Sequence, residues 1–195
     1  MQAFWREGYQ SSSVKALSER LGMTRSSFYN AFESQEELFL EALDRYLARS
    51  PDGALAHQPP PGRIRWLITE TFRTVCQALS TDREGKGCLA VNSVTALCNV
   101  DGKLGPIMAG HMMVRIERLE RLLDAAVANE ELPPETDTKA CALALKVLLV
   151  GLNAMAKVVP DRTALWPAAR LALQGLGILC EGDTKCATAT VEQVG

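Results

Sequence analysis

Twenty residues near the N-terminus constrain the fold of this chain more than any other stretch: S-V-K-A-L-S-E-R-L-G-M-T-R-S-S-F-Y-N-A-F, residues 13–32. Apolar residues recur at helical spacing on either side of a glycine. They are Val14, Leu17 and Leu21 before it, and Phe28 and Phe32 after it. Gly22 lacks a Cβ and can take the positive φ of a tight turn, and Thr24 is a favourable N-cap for the helix that follows. The stretch predicts two short helices joined by a tight turn.

The first exposed turn of the second helix carries Arg25, Ser26 and Ser27, with Tyr29 and Asn30 close behind. A short helix that presents a guanidinium, hydroxyls, a phenol and an amide can enter the major groove of DNA. The first three residues are the predicted contacts to base edges, and Asn30 is a further candidate. Any small helical hairpin shares part of this pattern, so the flanking residues have to decide its meaning.

Those flanks carry a specific resemblance. Residues 4–39 resemble the DNA-binding domain of the TetR family of bacterial transcriptional regulators. The matching residues, in the family's order and spacing, are Phe4, Gly8, Tyr9, Ser13, Leu17, Gly22, Phe28, Tyr29, Phe32, Glu37 and Leu38. The resemblance implies that DNA phosphates are positioned by Ser13, Lys15, Thr24, Tyr29 and Gln35. Many relatives have a lysine in place of Gln35, so one charge-assisted contact is lost here.

Composition and breaks in the pattern predict the domain order. Of the 195 residues, 47% are hydrophobic and 23% charged, and Ala and Leu dominate, which favours an all-α fold. We expect a helix-turn-helix DNA-binding domain over residues 1–50, with a first helix that ends at Gly8 and is short for the family. A Pro/Gly-rich linker over 51–62 precedes a helical effector-binding and dimerisation domain over 63–181, and residues 182–195 form a disordered tail.

Apolar periodicity places the later helices. Ser34 and Glu37 form a predicted capping box at the start of the fourth helix. Further helices are expected at residues 63–80, 88–99, 106–129, 137–159 and 163–181. The outer face of the helix at 106–129 carries Arg115, Glu117, Arg118, Glu120 and Arg121 and is expected to be solvated.

The last two predicted helices are apolar nearly all round, so each must be buried on more than one side. A two-fold four-helix bundle with a second copy of the chain would bury both, and the family resemblance implies the same homodimer. The candidate interface residues are Leu145, Leu149, Leu152, Trp166, Leu173 and Leu176. The run over residues 140–159 approaches transmembrane length, but Lys146, Asn153 and Lys157 interrupt it, which favours a buried helix.

Isolated polar groups among apolar residues suggest a cavity for a small molecule. Its candidate lining is Phe72, Cys76, Cys88, Asn92, Met108, His111, Met112 and Asn153. An ordinary core whose polar atoms bond to the backbone would give the same pattern, and the resemblance is what favours a pocket. No effector, cofactor or metal can be named from these residues.

Cys88 follows Gly87 at the start of a predicted helix, where the positive end of the helix and Lys86 favour a thiolate. A thiol that senses oxidants or electrophiles is one reading, and a small buried hydrophobe is the other. The six cysteines show no C-x-x-C spacing and are expected to be reduced. The Cys, His and Met side chains are soft enough as ligands to bind Cu(I), but their spacing supports no particular metal site.

The sequence favours a binding protein over an enzyme. Its two histidines do not accompany a recognisable nucleophile, metal or phosphate motif, and no signal peptide is evident. The formal charge of −2 excludes a generally basic nucleic-acid binder, although residues 11–32 hold three basic residues against one acidic residue. We expect a cytoplasmic homodimeric repressor that binds double-stranded DNA at a palindromic operator and is released by an effector. The alternatives are the Cys88 thiol switch and a helical dimer that no longer binds DNA.

Overall fold

The computed structural model describes residues 1–57, 59–98 and 102–182. These residues form α-helices joined by turns, with no β-strand among them, which confirms the all-α prediction. The helices are α1 (Gln2–Glu7), α2 (Val14–Leu21), α3 (Arg25–Ala31), α4 (Gln35–Leu47), α5 (Ile64–Thr81), α6 (Leu89–Leu97), α7 (Leu104–Ala128), α8 (Thr138–Met155) and α9 (Leu165–Gly175). Short 3-10 helices span Pro51–Ala56 and Arg162–Ala164.

The chain divides into two compact units, and the first is discontinuous in sequence. The first unit contains Met1–Ser50 and Glu84–Met112. The second contains Pro51–Arg83 and the chain from Met113 on. The long helix α7 crosses the boundary between Met112 and Met113. This division differs from the expected linear order, because residues 84–112 pack with the N-terminal helices.

The core of the first unit joins α1–α4 to α6 and the start of α7. Phe4, Phe28 and Phe39 are fully buried there, together with Leu89 and Met108. The Phe4 and Phe39 rings meet edge to face with centroids 5.2 Å apart, a favourable aromatic geometry. The indole Nε1 of Trp5 donates a hydrogen bond to the Gly87 carbonyl at 2.9 Å. Helix α1 is therefore held by a residue more than eighty positions away in sequence.

The second unit packs α5, the later part of α7, α8 and α9 around a separate apolar core. Phe72, Leu123, Leu145 and Leu173 are completely buried in it. The 3-10 helix Pro51–Ala56 packs against α5 and buries Leu55. This part of the expected linker is therefore structured and belongs to the core of the second unit.

The last helix is shorter than predicted. It ends at Gly175 rather than near residue 181, and Gly177 then reverses the chain with φ 69°. The following residues run along α5, where Cys180 N donates to Thr69 Oγ1 at 3.0 Å and Arg65 Nη2 donates to the Leu179 carbonyl at 2.9 Å. The predicted disordered tail lies, but for its first residue, outside the described residues.

A buried carboxylate fixes the start of α5. Arg63, at the N-cap position, makes no side-chain capping bond, and Glu131 from the turn after α7 takes over that role. Its carboxylate accepts from the backbone N–H groups of Gly62, Ile64 and Arg65 at 2.9, 2.8 and 3.1 Å. The first N–H groups of a helix otherwise have no partner, so Glu131 satisfies the start of α5 from more than sixty residues away.

The cysteines do not share one state. Cys76, Cys88, Cys98 and Cys141 are free thiols, whereas Cys180 is disulfide-bonded. The expectation that every cysteine is reduced is therefore wrong for Cys180. Burial raises the pKa of the Cys76 thiol to about 11, which makes it a poor nucleophile at neutral pH.

Helix α8 is, among the described helices, long and apolar enough by composition to cross a membrane. Its inner residues Ala142, Leu145, Leu149 and Leu152 are instead buried in the core of the second unit. The apolar residues on this inner face are explained by packing against α5 and α9.

Candidate nucleic-acid interface

The predicted hairpin is present, and local hydrogen bonds fix its turn. Gly22 lies in the left-handed region with φ 66°, and its N–H bonds back to the carbonyls of Ser18 and Glu19. The N–H of Met23 also donates to the Ser18 carbonyl at 3.0 Å. The C-terminal carbonyls of α2 are thereby satisfied, as in the glycine-terminated helix ends found widely in proteins.

Helix α3 starts as predicted and presents a polar face. Thr24 Oγ1 caps it by accepting from Ser27 N at 3.1 Å, and the two hydroxyls lie 2.9 Å apart. Phe28 is fully buried beneath the helix. On the opposite side, every candidate base contact is exposed: Arg25, Ser26, Ser27 and Asn30. The face is thus available to a groove, with the Ser27 hydroxyl shared with the cap.

Leu21 departs from the expected buried face of α2. It is 52% exposed, whereas Leu17 is buried. Leu21 and Leu17 line an open cleft of about 380 Å³ with Phe4 and Leu38. The hairpin core is therefore formed chiefly by the phenylalanines and Leu17.

The predicted phosphate contacts lie in different surroundings. Ser13 accepts from Ala16 N at 3.3 Å as the N-cap of α2, and Lys15 and Tyr29 are exposed. Gln35 is half-buried, and its Nε2 donates to the Tyr9 carbonyl at 3.0 Å. One donor hydrogen of Gln35 therefore joins the turn after α1 to the start of α4 instead of facing solvent.

Beside Gln35, a tyrosine–glutamate pair strengthens the same junction. Burial, followed by the hydrogen bond to Glu36 and its charge, raises the pKa of Tyr9 to about 12. The pKa of Glu36 is lowered chiefly by its own backbone N–H at the start of α4, and further by the Tyr9 and Ser34 hydroxyls and the Lys103 charge. At neutral pH the pair is a phenol donating to a carboxylate, which is a strong charge-assisted bond.

The predicted capping box is also present, with a shift of one residue. Ser34 Oγ accepts from Glu37 N at 3.1 Å. The Glu37 carboxylate accepts from Glu33 N at 2.6 Å rather than from the N-cap residue itself. One N–H in the first turn of α4 and one just before the helix are therefore satisfied, so the helix that follows the reading hairpin has a well-defined start.

Family comparisons agree with this geometry. Residues 1–42 match the model of bacterial regulatory proteins of the tetR family, and residues 65–172 match that of the tetracyclin repressor-like C-terminal domain. The chain belongs to the TetR family. It is a DNA-binding transcriptional regulator, as the sequence predicts, and the known relatives that it matches are regulators and not enzymes.

Two relatives and one solved structure cover most of this TetR-family regulator. It is 27% identical over 170 residues to the HTH-type transcriptional regulator YezE of Bacillus subtilis (strain 168), covering 85% of this chain and 86% of the relative. It is 24% identical over 161 residues to the HTH-type transcriptional repressor ComR of Escherichia coli (strain K12), covering 80% and 75%. A cysteine mutant of the TetR-family regulator CifR, complexed with 26-base-pair operator DNA, has a TM-score of 0.73 at 26% identity, covering 88% and 89%.

The structure divides the predicted effector-pocket residues of this TetR-family regulator between its two units. Phe72, Cys76 and Asn153 belong to the second unit. The first unit contains the others: Cys88, Asn92, Met108, His111 and Met112. Asn92 is satisfied locally, since its Nδ2 donates to the Lys86 carbonyl at 2.7 Å. The cavities described within the units are lined by other residues, so this pocket stays a prediction.

Four of the predicted dimer contacts are wrong in their orientation. Leu145, Leu149, Leu152 and Leu173 are buried in the core of their own chain. Trp166 and Leu176 are half-buried against the same core. A helix that is apolar all round carries no periodicity from which its inner face can be predicted. The predicted contacts lie on the inner face, and the exposed face is the opposite one.

Several exposed apolar residues lie on the outer sides of α8 and α9. Leu143, Val147 and Met155 on α8 are 52%, 62% and 49% exposed, and Leu171 on α9 is 71% exposed. At about 100° per residue, the three α8 positions fall within about a third of the helix circumference. We call these four residues, with Val158 just beyond α8, the outer apolar stripe.

Sequence reasoning also missed a cluster in the second unit. Arg115 was assigned to a solvated face, but its side chain is only 19% exposed and pairs with Asp52 at 2.5 Å. Asp52 lies in the segment expected to be a linker. The alternation of charges along α7 contained no signal for this pairing, because its partner lies more than sixty residues away.

Proposed function

We propose that the protein is a homodimeric repressor that binds a palindromic operator through two copies of α3 and is released by a small-molecule effector. The observation that carries the proposal is the exposed polar face of α3, held on Phe28 by capped helix ends. Relatives that include a named repressor and a regulator complexed with operator DNA support it. Such a regulator acts in the cytoplasm, where the DNA is.

Base recognition is assigned to Arg25, Ser26 and Ser27, with Asn30 as a further contact. An arginine at the start of a groove-reading helix can bind a guanine edge through two hydrogen bonds. Ser13, Lys15, Thr24, Tyr29 and Gln35 are assigned to phosphates, which fix position but carry no sequence information. Two copies of α3 would lie about 34–36 Å apart, one helical turn of DNA.

A gel-shift titration on the natural operator tests this assignment. Arg25→Ala should weaken binding by about 1–3 kcal/mol and relax preference at one base position per half-site. Arg45→Ala is the matched control, because it removes the same charge from the exposed surface of α4, outside the proposed contact face. Equal operator affinities for wild type and Arg25→Ala would rule out α3 as the reading helix.

Helix α6 offers a route from effector to DNA. It packs against α4 within the first unit, and α4 follows the reading hairpin. An effector that displaces α6 would shift residues 35–50 and change the spacing of the two α3 helices. It acts only through its different affinities for the two spacings. If every ligand found in a binding screen left the operator affinity unchanged, this route would be contradicted.

Dimerisation is assigned to the outer apolar stripe. Large apolar side chains gathered on exposed helix faces mark interaction sites, and a second copy packed on α8 and α9 would form a four-helix bundle. Leu171→Glu should convert the dimer to a monomer in analytical ultracentrifugation, since it places a charge in the interface. Gln77→Glu adds a charge at an exposed position of α5 and should leave the dimer intact. A dimeric Leu171→Glu protein would place the interface elsewhere.

A thiol switch at Cys88 is the second candidate. Its free thiol is half-buried at the N-cap of α6, the helix that packs on α4. The CifR complex with operator DNA was of a cysteine mutant, which directs attention to cysteines in this fold. Cys88→Ser should keep operator binding and lose release by oxidant, with Cys141→Ser as the matched control. Release by oxidant that persists in Cys88→Ser would eliminate this candidate.

A further inference from the structure

Three carboxylates surround the start of α4, next to the proposed phosphate contact Gln35. Glu33, Glu36 and Glu37 all lie within two residues of it in sequence. Carboxylates at the start of a helix stabilise that helix, because its dipole is positive there. The same charges repel DNA, whose backbone carries one negative charge per about 1.7 Å of helix axis. Close approach of a phosphate to this edge therefore requires a compensating positive charge.

Hydrogen bonds hold two of these carboxylates in place without cancelling their charge. The Glu37 carboxylate accepts from the Glu33 N–H at 2.6 Å. The Glu36 carboxylate accepts from its own backbone N–H and from the hydroxyls of Tyr9 and Ser34. Donors of this kind favour the ionised form of a carboxyl group. Glu36 is therefore a fixed anion beside Gln35.

A cation lies across a cleft from Glu36, and both belong to the first unit. The cleft measures about 110 Å³, which is room for several water molecules. Among its described lining residues, Lys103 is the one cation and Glu36 the one anion. The Lys103 charge also contributes to the lowered pKa of Glu36. The N-terminal helices supply Tyr9, Gln10 and Glu36 to the lining, and the second segment of the unit supplies Leu97 and residues 102–105.

The backbone near Lys103 is anchored, whereas its side chain is exposed. Leu97, at the end of α6, and Leu104, at the start of α7, are 3% and 6% exposed and belong to the core of the first unit. Packing of these two leucines places Lys103 beside the cleft. The position of its charge relative to α4 therefore depends on where α6 and the start of α7 pack.

We propose that Lys103 is a charge-balancing residue for DNA binding, which compensates Glu36 at the start of α4 so that a phosphate can approach Gln35. Its effect on DNA rests on the proposed function, in which this edge faces the operator. Lys103 follows α6, the helix that the effector is proposed to displace. A movement of α6 that carries Lys103 away from α4 leaves Glu36 uncompensated, and it weakens DNA binding in the same way as removing the lysine.

The DNA affinity of charge variants of the full-length protein tests this role. The probe is a duplex that the wild-type protein selects from a randomised pool, and fluorescence anisotropy is measured at about 50 mM salt, where the Debye length exceeds about 10 Å. Across about 10 Å of water, one unit charge changes the affinity for a phosphate about twofold. Two copies on an operator give about fourfold. Glu36→Gln should therefore bind about fourfold more tightly, Lys103→Gln about fourfold more weakly, and the double variant within about twofold of wild type.

A purely structural role predicts a different pattern. Glu36→Gln replaces the charged acceptor of the Tyr9 hydroxyl, so a structural role would weaken DNA binding in this variant instead of strengthening it. Lys103→Arg keeps the positive charge and should bind DNA as wild type does. The matched controls are Lys139→Gln and Glu135→Gln, at exposed positions of the second unit, and they should leave the affinity unchanged.

The pair and its effect on DNA are tested separately. In an NMR titration of the Glu36 side-chain carboxyl without DNA, its pKa should rise in Lys103→Gln, and an unchanged pKa would overturn the pairing. With DNA, a Glu36→Gln protein that binds no more tightly than wild type would overturn the charge-balancing role, and so would a double variant as weak as Lys103→Gln. A selection that enriches no duplex overturns the proposed function and the effect on DNA together, while the NMR titration still decides the pairing.

Discussion

Removing the carboxylate of Glu131 should destabilise the second unit more than any surface substitution. Glu131 is 2% exposed and accepts the backbone N–H groups of Gly62, Ile64 and Arg65. In Glu131→Ala, three donors at the start of α5 lose their acceptor, and two of them belong to buried residues. Each buried unsatisfied donor costs about 1–3 kcal/mol. A water molecule that enters the site and accepts from these donors would recover part of this free energy.

We therefore expect Glu131→Ala to lower the free energy of unfolding by about 3–5 kcal/mol, the range found when one member of a buried charged contact is removed. Glu131→Gln keeps a carbonyl acceptor and should lose roughly half as much. Glu135→Ala, an exposed glutamate in the same turn, should change the value by less than about 0.5 kcal/mol.

Urea unfolding followed by circular dichroism at one protein concentration measures these differences, since the stability of the proposed dimer would depend on concentration. The slope against urea should be unchanged, so that midpoints report stability alone. A loss below about 1 kcal/mol in Glu131→Ala would refute the capping role, because several unsatisfied donors should cost more than that.

Three further perturbations concern the first unit. Gly22→Ala should cost about 1–2 kcal/mol of stability, because φ is 66° at this position; a Cβ would meet no atom within 4 Å, so no steric clash adds to that cost. Gly22→Asn should cost less, and equal urea midpoints for Gly22→Ala and wild type would contradict the prediction. Because the folded-state pKa of Tyr9 is raised from 10.0 to about 12, the folded state holds its proton longer, and stability should fall between pH 10 and pH 12. Tyr9→Phe should flatten that fall in thermal melts, and an identical pH profile would refute the assignment. Trp5→Phe removes the bond to the Gly87 carbonyl and should lower stability by about 0.5–1.5 kcal/mol, measured by urea unfolding, and an unchanged midpoint would contradict a stabilising role for this bond.

Local signals in the sequence were sufficient for the reading hairpin. Gly22, Thr24 and Ser34 each act on backbone groups within a few residues, so their caps and turns could be predicted from spacing alone. The helix that contains Phe28 and the start of α4 follow from the same local rules. The family resemblance then added the role of the exposed face.

Long-range partners could not be predicted. Glu131 caps a helix that starts more than sixty residues earlier, and Arg115 pairs with Asp52 across a similar distance. Neither pair leaves a periodic trace in the sequence. The faces of α8 could not be assigned for a different reason, since Leu145 and Val147 are equally apolar and only packing distinguishes the inner residue from the outer one.

The discontinuity of the first unit has a consequence for synthesis on the ribosome. Residues 1–50 leave the exit tunnel well before residues 84–112, which supply Leu89, Met108 and the carbonyl that accepts from Trp5. Part of the apolar surface of the nascent N-terminal segment is therefore exposed until α6 and the start of α7 emerge. A truncated gene product that stops near residue 50 should be a substrate for chaperones and proteases rather than an independent DNA-binding domain. In this chain the DNA reader is completed only after more than half of the protein has been made.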